Sequence, residues 1–488
     1  MTGKQLVKCL FNNKLNRIRY TGTTIILILS FTMAGAQYIS EVLEYMPAPG
    51  QFINSAPWGL PSSASSIVGT VNGSLCLGSF GGYVIFRFEN PVENHPDNPY
   101  GVDFTIFGNP LADWSEPGIV WIMEDDNENG FPDDTWYELN GSDCYFSSSV
   151  RNYEVTFTNP GDTAAMDVPW IDNAGNYGTV QANSIHTQPY FPDRDSFPSI
   201  PEHEYTLTGS SIEAVVNVTD GPGIKSIRRA FGYADNQLRG VPPYTKPDNP
   251  YTEEIENSGG DAFDIDWAVD SVGEYVDLDK IHFVKVQNAV QTYGGLLGEL
   301  STEVTGAVDV ANDGSISGER DMIVIRDLPV EIEATTFQLE AFVFHGGRLQ
   351  TNRTVLWTSN KADATVDEDQ MLKVNEPGPL VLTGSLTDRP EISATVSTTI
   401  KIDYTTLEAG METSPHIKLF PNPAYNYTRI SGVRAAAVSL YDAVGKCSLS
   451  FENYYEGDPI DLTGLQGGLY MVKIDHGERV VWMKLLKE

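Results

Sequence analysis

The chain has 488 residues, room for two to four domains, and 31 Lys and Arg against 66 Asp and Glu give a formal net charge of −35. Such a field repels nucleic acid and anionic lipid, so neither is expected as a partner. Aromatic residues at 11%, with 44 Gly and 29 Pro, suit turn-rich β domains rather than disorder.

At the N-terminus Lys4, Lys8, Lys14, Arg17 and Arg19 precede an apolar run over 24–29 and then Ala34-Gly35-Ala36. A basic region, a short apolar core and a small-residue cleavage site predict a secretory signal peptide over 1–36. The run is too short to span a bilayer, and no transmembrane helix is expected after cleavage near Gln37. The leader holds five cations and no acids, so the chain without it carries −40. Cys9 leaves with it. Of Cys76, Cys144 and Cys447, only the first two fall in one proposed domain. Export permits that disulfide, and free buried thiols are the alternative.

From residue 37 to about 325, period-two alternation recurs. Tyr83–Phe88, Val102–Phe107, Tyr153–Phe157, Ile212–Val218 and Ile281–Val286 read as strands with one buried face, and Ile119–Met123 reads as buried on both. Asn90-Pro91 and Asn159-Pro160-Gly161 punctuate them, and Gly294-Gly295 and Gly346-Gly347 read as turns. With no amphipathic helical pattern, the region is expected to form a large jelly-roll-like sandwich.

The chemistry concentrates in the run from Asp125 to Asp134. Oxygen side chains at Asp125, Asn127 and Asn129, a Gly at the sixth place and Asp133 at the ninth match most of a calcium loop. Ca²⁺ takes six to eight hard oxygens around a tight turn, which alternating acids and a Gly supply. Phe131 would add its backbone carbonyl, and Asp134 or Glu138 would close the shell, because Trp136 stands where a bidentate Glu is usual. The flanking segments are strands, so an EF-hand is not expected. An Asn/Asp turn without metal is the alternative.

Trp114, Trp136, Trp170, Tyr190, Tyr233 and Trp267 are candidates to stack on sugar rings, beside Asp103, Glu116 or Asp235 for the hydroxyls. The competing reading for each ring is sandwich core. Glu116 and Asp264 make a conceivable glycosidase pair, but their separation decides that chemistry and sequence does not give it. His186 reads as structural. No zinc spacing, nucleophile elbow or phosphate loop occurs.

Several segments resemble a module of Bacteroidetes cell-surface proteins: Asn98–Phe104, Trp114–Gly118, Asp134–Leu139, Ala262–Asp270 and Leu297–Glu303. That resemblance, over 45–310, implies a surface protein and no particular activity. Next, Val355–Asn360 with Trp357, then Ala364–Asp367 and Leu372–Val374, resemble a bacterial Ig-like domain of the second group over 326–404, which implies a spacer or, as the alternative, an adhesive module. Finally Leu419-Phe420-Pro421-Asn422-Pro423, Leu440-Tyr441-Asp442, Asp461-Leu462 and Gly467–Tyr470 resemble the type A C-terminal sorting domain of type IX secretion cargo, over 415–488. From Lys418 onward eight cations balance eight acids, so the tail is neutral, and a linker over 405–414 is expected.

The sequence thus predicts an all-β chain, a large jelly-roll-like sandwich followed by two smaller Ig-like β-sandwiches. It is read as a secreted binding protein, stabilised by Ca²⁺ at Asp125, Asn127, Asn129, Phe131, Asp133 and Asp134. The ligand is expected to be a glycan or small nutrient, near Trp114, Glu116, Trp136, Tyr233, Asp235 and Trp267. The type IX machinery is its expected partner in export. A polysaccharide-active hydrolase and an accessory capture protein for a nutrient receptor are the alternatives.

Overall fold

The computed structural model describes residues 37–488 apart from 162, 215, 218–224, 243, 245, 258, 402–416, 434, 443–444 and 476–479. The expected signal peptide and the 405–414 linker lie outside the described residues. Among the described residues, no helix is long and apolar enough to cross a membrane.

The alternating segments of the large unit pair into a six-stranded antiparallel sheet. Its order is Glu41–Met46, Tyr83–Arg87, Phe283–Asn288, Gly118–Met123, Tyr137–Leu139 and Ala268–Val269. Period two sends Val84, Phe86, Val120, Ile122, Val284 and Val286 to one face. There they meet Phe104, Ile106, Phe263 and Ala307 from a three-stranded sheet made of Asp261–Phe263, Phe104–Phe107 and Gly306–Asp309. This is the expected sandwich, with the main core between its layers.

A four-stranded sheet of Tyr177–Val180, Val168–Asp172, Val150–Thr158 and Glu204–Ser211 packs on the other side of the six-stranded sheet. Val155, Phe157, Tyr205 and Leu207 build its own core with Phe80 and Tyr190. Gln287 Nε2 ties the two sheets, donating to Gly81 O at 2.9 Å and Thr208 O at 3.1 Å. Of the strand expected over Ile212–Val218, residues 212–214 are not in a strand and Val216–Asn217 are. The long strand is Glu204–Ser211; beyond it, among the described residues, which exclude 215 and 218, Val216–Asn217 pairs with Lys225–Ser226.

The second unit is an Ig-like sandwich. Val355–Ser359, Gly378–Leu386, Ser393–Ile400 and Glu331–Ile332 form one sheet, the last pairing in parallel with Thr399 and Ile400. Trp357 packs half-buried against Leu339, Leu372, Leu380 and Leu382. Asp321–Ile325, on the large-unit side of the expected 325/326 boundary, pairs with Ala341–His345, so this unit begins with Asp321. The tail is a second small sandwich, with Leu419, Ile430, Val438, Leu440, Val472 and Ile474 in its core.

The first two units share their core rather than touching at a point. Phe344 is fully buried 5.2 Å from Phe231, Trp267 Nε1 donates to Gly346 O at 3.0 Å, and Tyr145 lies 5.9 Å from Phe342. At Gly347, held at φ 72°, a Cβ would lie 2.0 Å from Trp267 Nε1, so only glycine lets the hairpin seat. The second unit is therefore not a freely jointed spacer. Phe344→Ala removes a fully buried ring and is expected to destabilise the large unit by about 3–5 kcal/mol. Thermal unfolding followed by Trp fluorescence checks this, since independent units would leave the large unit's transition unmoved.

Candidate functional site

Residues 124–136 connect two paired strands, with Trp121 opposite Glu138 and Ile122 opposite Tyr137. Within that connection the side-chain oxygens fold inward. Asp125 Oδ1 accepts the Asn129 N–H at 3.0 Å and Oδ2 accepts that of Gly130 at 2.8 Å. Asn127 Oδ1 accepts the Asn129 N–H at 3.0 Å, and Asn129 Oδ1 accepts the Phe131 N–H at 2.7 Å. The turn needs left-handed backbone, φ 77° at Gly130 and φ 56° at Glu128. Asn127 Nδ2 donates to Asp133 Oδ1 and Asp134 Oδ1, both at 3.1 Å, while Asn129 Nδ2 donates to both Asp133 oxygens at 3.1 Å. Thus Asp125, Asn127, Asn129, Asp133 and Asp134 converge.

Three details bear on a cation there. Asp134 Oδ2 is buried with no hydrogen-bond partner, an acceptor pointing at nothing. Phe131 O is engaged by the Asp133 N–H at 2.9 Å. Glu138 does not close the shell, because it is buried on the opposite side, hydrogen-bonded by Ser210 and 3.9 Å from Arg151. Beside the loop lies an open depression of about 510 Å³, lined by Glu124, Asp125, Asp126, Glu128, Lys280 and His282. His282 Nδ1 anchors the loop by accepting the Asp125 N–H at 3.0 Å.

The ligand residues expected from sequence do not form a groove. Trp267 is 0% exposed, Tyr233 2% and Trp114 7%, so their rings are core and unavailable for stacking. The physical reason is that each faces a packed layer: Trp267 sits among Phe231, Phe263 and Tyr251. Tyr190 is core as well. Trp170 and Trp136 are half-buried. Lys285 Nζ lies over the rings of Trp121, Trp136 and Tyr83, at 4.7, 5.5 and 5.6 Å from their centroids, so the ammonium already takes these faces. Glu116 and Asp264 belong to different neighbourhoods, Asp264 beside Asp103 and 3.4 Å from Arg320. Cys76, Cys144 and Cys447 are all free thiols, so the Cys76–Cys144 bridge does not form.

Glu116 and Asp235, paired only loosely by sequence, do meet. They converge with Glu303, one oxygen of each lying within 4.8 Å of the others. Burial raises Glu116 to about 6. Burial and then the Glu116 charge push Asp235 and Glu303 well above the usual carboxylate range. Glu303 escaped sequence reasoning because it lies far along the chain from both partners; the alternation Glu299-x-Ser301-x-Glu303 was its one local signal. Elsewhere, burial lifts Asp261 to about 7 and also raises Asp103, although backbone N–H groups solvate both.

These shifts set a pH dependence. A carboxyl whose folded pKa exceeds its unfolded value near 3.9 binds more protons folded than unfolded between those two pH values. Stability therefore falls as pH rises from about 4 through 7. In EDTA the melting temperature is expected to be higher at pH 5 than at pH 8, a difference read by differential scanning calorimetry. A rise instead would contradict the burial of these acids.

Residues 418–488 match the family described as secretion system C-terminal sorting domain. No curated protein matches the chain. Among solved structures it is similar to dimeric latent PorU from Porphyromonas gingivalis, with 11% identity, a TM-score of 0.12, and 70% of this chain and 30% of that one covered. It is also similar to surface layer protein SbsC, domains 1–6, at 12% identity and TM-score 0.18, over 84% of this chain and 52% of that one. The Escherichia coli adhesin FdeC shows 9% identity and a TM-score of 0.15, over 43% of this chain and 78% of that one. The family match lies on the tail whose Leu419–Pro423 opening and Gly467–Tyr470 segment stood out in the sequence. Residues 418–488 are a type IX secretion C-terminal sorting domain, and they send the protein through that machinery to the cell surface.

Proposed function

We propose that this is a surface binding protein whose large sandwich is braced by Ca²⁺ at the Asp125–Asp134 loop and holds a glycan or small nutrient. The observation that carries the metal reading is the convergence of Asp125, Asn127, Asn129, Asp133 and Asp134 on one small volume, with Asp134 Oδ2 buried and unpartnered. Hard oxygens at this density suit Ca²⁺, and a cation would replace the weak amide donors that now link them. Phe131 O would have to leave the Asp133 N–H to join. The cell surface supports the same reading, because calcium outside the cell is abundant enough to fill a site of modest affinity. The ligand class is supported by charge: a body carrying the whole excess of acids favours neutral or cationic ligands over polyanions.

Calcium at about a hundredfold excess over its dissociation constant should stabilise the protein by ~2.7 kcal/mol, a rise in melting temperature of roughly 5–10 °C. Asp125→Ala with Asp133→Ala should abolish that rise. Melting curves that coincide in calcium and in EDTA would sink the metal reading. A glycan array with product analysis tests the ligand, since a binder leaves its sugar intact.

A further inference from the structure

Among the described residues, the second carboxylate group forms no ion pair with a Lys, Arg or His. Asp235 and Glu303 are buried and Glu116 is half-buried, and they come from three separate parts of the large unit. Backbone donors hold them in place. Asp235 Oδ1 accepts the Asn109 N–H and Oδ2 the Glu303 N–H, both at 2.8 Å, and Glu116 Oε1 accepts the Ser301 N–H at 3.0 Å. Thr302 Oγ1 donates to the Glu116 backbone carbonyl at 2.8 Å, which fixes the main chain there. The chain comes so close that a Cβ on Gly108 would lie 2.0 Å from Asp235 Oδ1. The three backbone N–H contacts favour the ionised form of Asp235 and Glu116, against the burial that raises both, and the side chains of Glu116 and Glu303 are hydrogen-bonded to each other.

A fourth unsatisfied acid lies beside this group. Glu299 is 3% exposed, and its Oε1 accepts the Gln51 N–H at 2.6 Å. Its Oε2 is buried with no partner, and the charge of Glu116 reaches it. A rigid, desolvated group of acids, with one unpartnered carboxylate oxygen on the neighbouring Glu299, suits a cation. The oxygens of Glu116, Asp235 and Glu303 lie within 4.8 Å of one another, a spread that a central ion with bonds of about 2.3–2.6 Å spans.

We propose that Glu116, Asp235 and Glu303, with Glu299 as fourth ligand, form a second and buried Ca²⁺ site, entered from the Glu116 side and independent of the Asp125–Asp134 loop. It pins the Glu299–Glu303 segment to the turn before Gly118–Met123 and to the segment after Tyr233. Ca²⁺ bound to the chelator-treated full chain is counted by isothermal titration calorimetry. The Asp125→Ala, Asp133→Ala variant should still bind one ion, and adding Glu303→Gln should weaken that ion by more than the about 10–100-fold expected from loss of a mere outer partner. If the loop reading alone fails, wild type binds one ion and Glu303→Gln removes it. Retention of the ion in Glu303→Gln, or no ion in the loop variant, overturns the buried site. Should Glu303→Gln fold poorly by circular dichroism, Tb³⁺ provides a second readout on the loop variant. Trp114 bonds Glu116, so bound Tb³⁺ should emit on Trp excitation and lose that emission in Trp114→Phe. Absence of Trp-sensitised emission also overturns the proposal.

Discussion

An ionised carboxylate taken out of water is unfavourable by several kcal/mol unless something answers its charge, and the large sandwich buries Asp103, Asp235, Asp261, Asp264, Glu299 and Glu303. Around that constraint the loops are arranged. Asp261 is answered by the N–H groups of Asn236 and Gln237, Asp103 by Ile265 N–H and Asn98 Nδ2, Asp264 by Asp266 N–H and Arg320. Each bond fixes a loop that joins the sandwich layers. Two carboxylate oxygens, Asp134 Oδ2 and Glu299 Oε2, are left without a partner, and Glu116, Asp235 and Glu303 crowd within 4.8 Å of one another; both places suit a divalent cation.

The location fits that chemistry. The sorting domain puts the body outside the cell, where calcium is available and proton activity follows the medium. The tail is electrically neutral and contributes its own closed core, so the acids belong to the body. The second unit also has a structural part in it, because Phe344 and Val324 complete the core around Phe231 and Trp267.

Much of this was legible in the sequence, for identifiable reasons. Alternation in Tyr83–Phe88 and Ile281–Val286 fixed which residues face the core, because strand period is two and one face is dry. The same logic was overlooked in Glu204-Tyr205-Thr206-Leu207, whose buried residues alternate as clearly. The sorting tail carried spaced motifs and was readable directly. Trp267 and Tyr233 were not readable as core, because an aromatic on a strand looks identical whether it packs a layer or lines a groove. The Asp125–Asp134 loop was visible since its oxygens are local in sequence. Glu303 joins Glu116 through tertiary folding alone, and the seating of Phe344 depends on a hairpin whose glycines read simply as a turn.

The central claim is that divalent cations rigidify the acidic framework of the large unit. Amide hydrogen exchange at Asn129, Gly130 and Phe131 tests it most directly, because these N–H groups bond the loop's own side chains. Calcium should slow their exchange relative to EDTA, while amides of the tail sandwich stay unchanged. Equal exchange rates at all three amides in calcium and in EDTA would contradict the account.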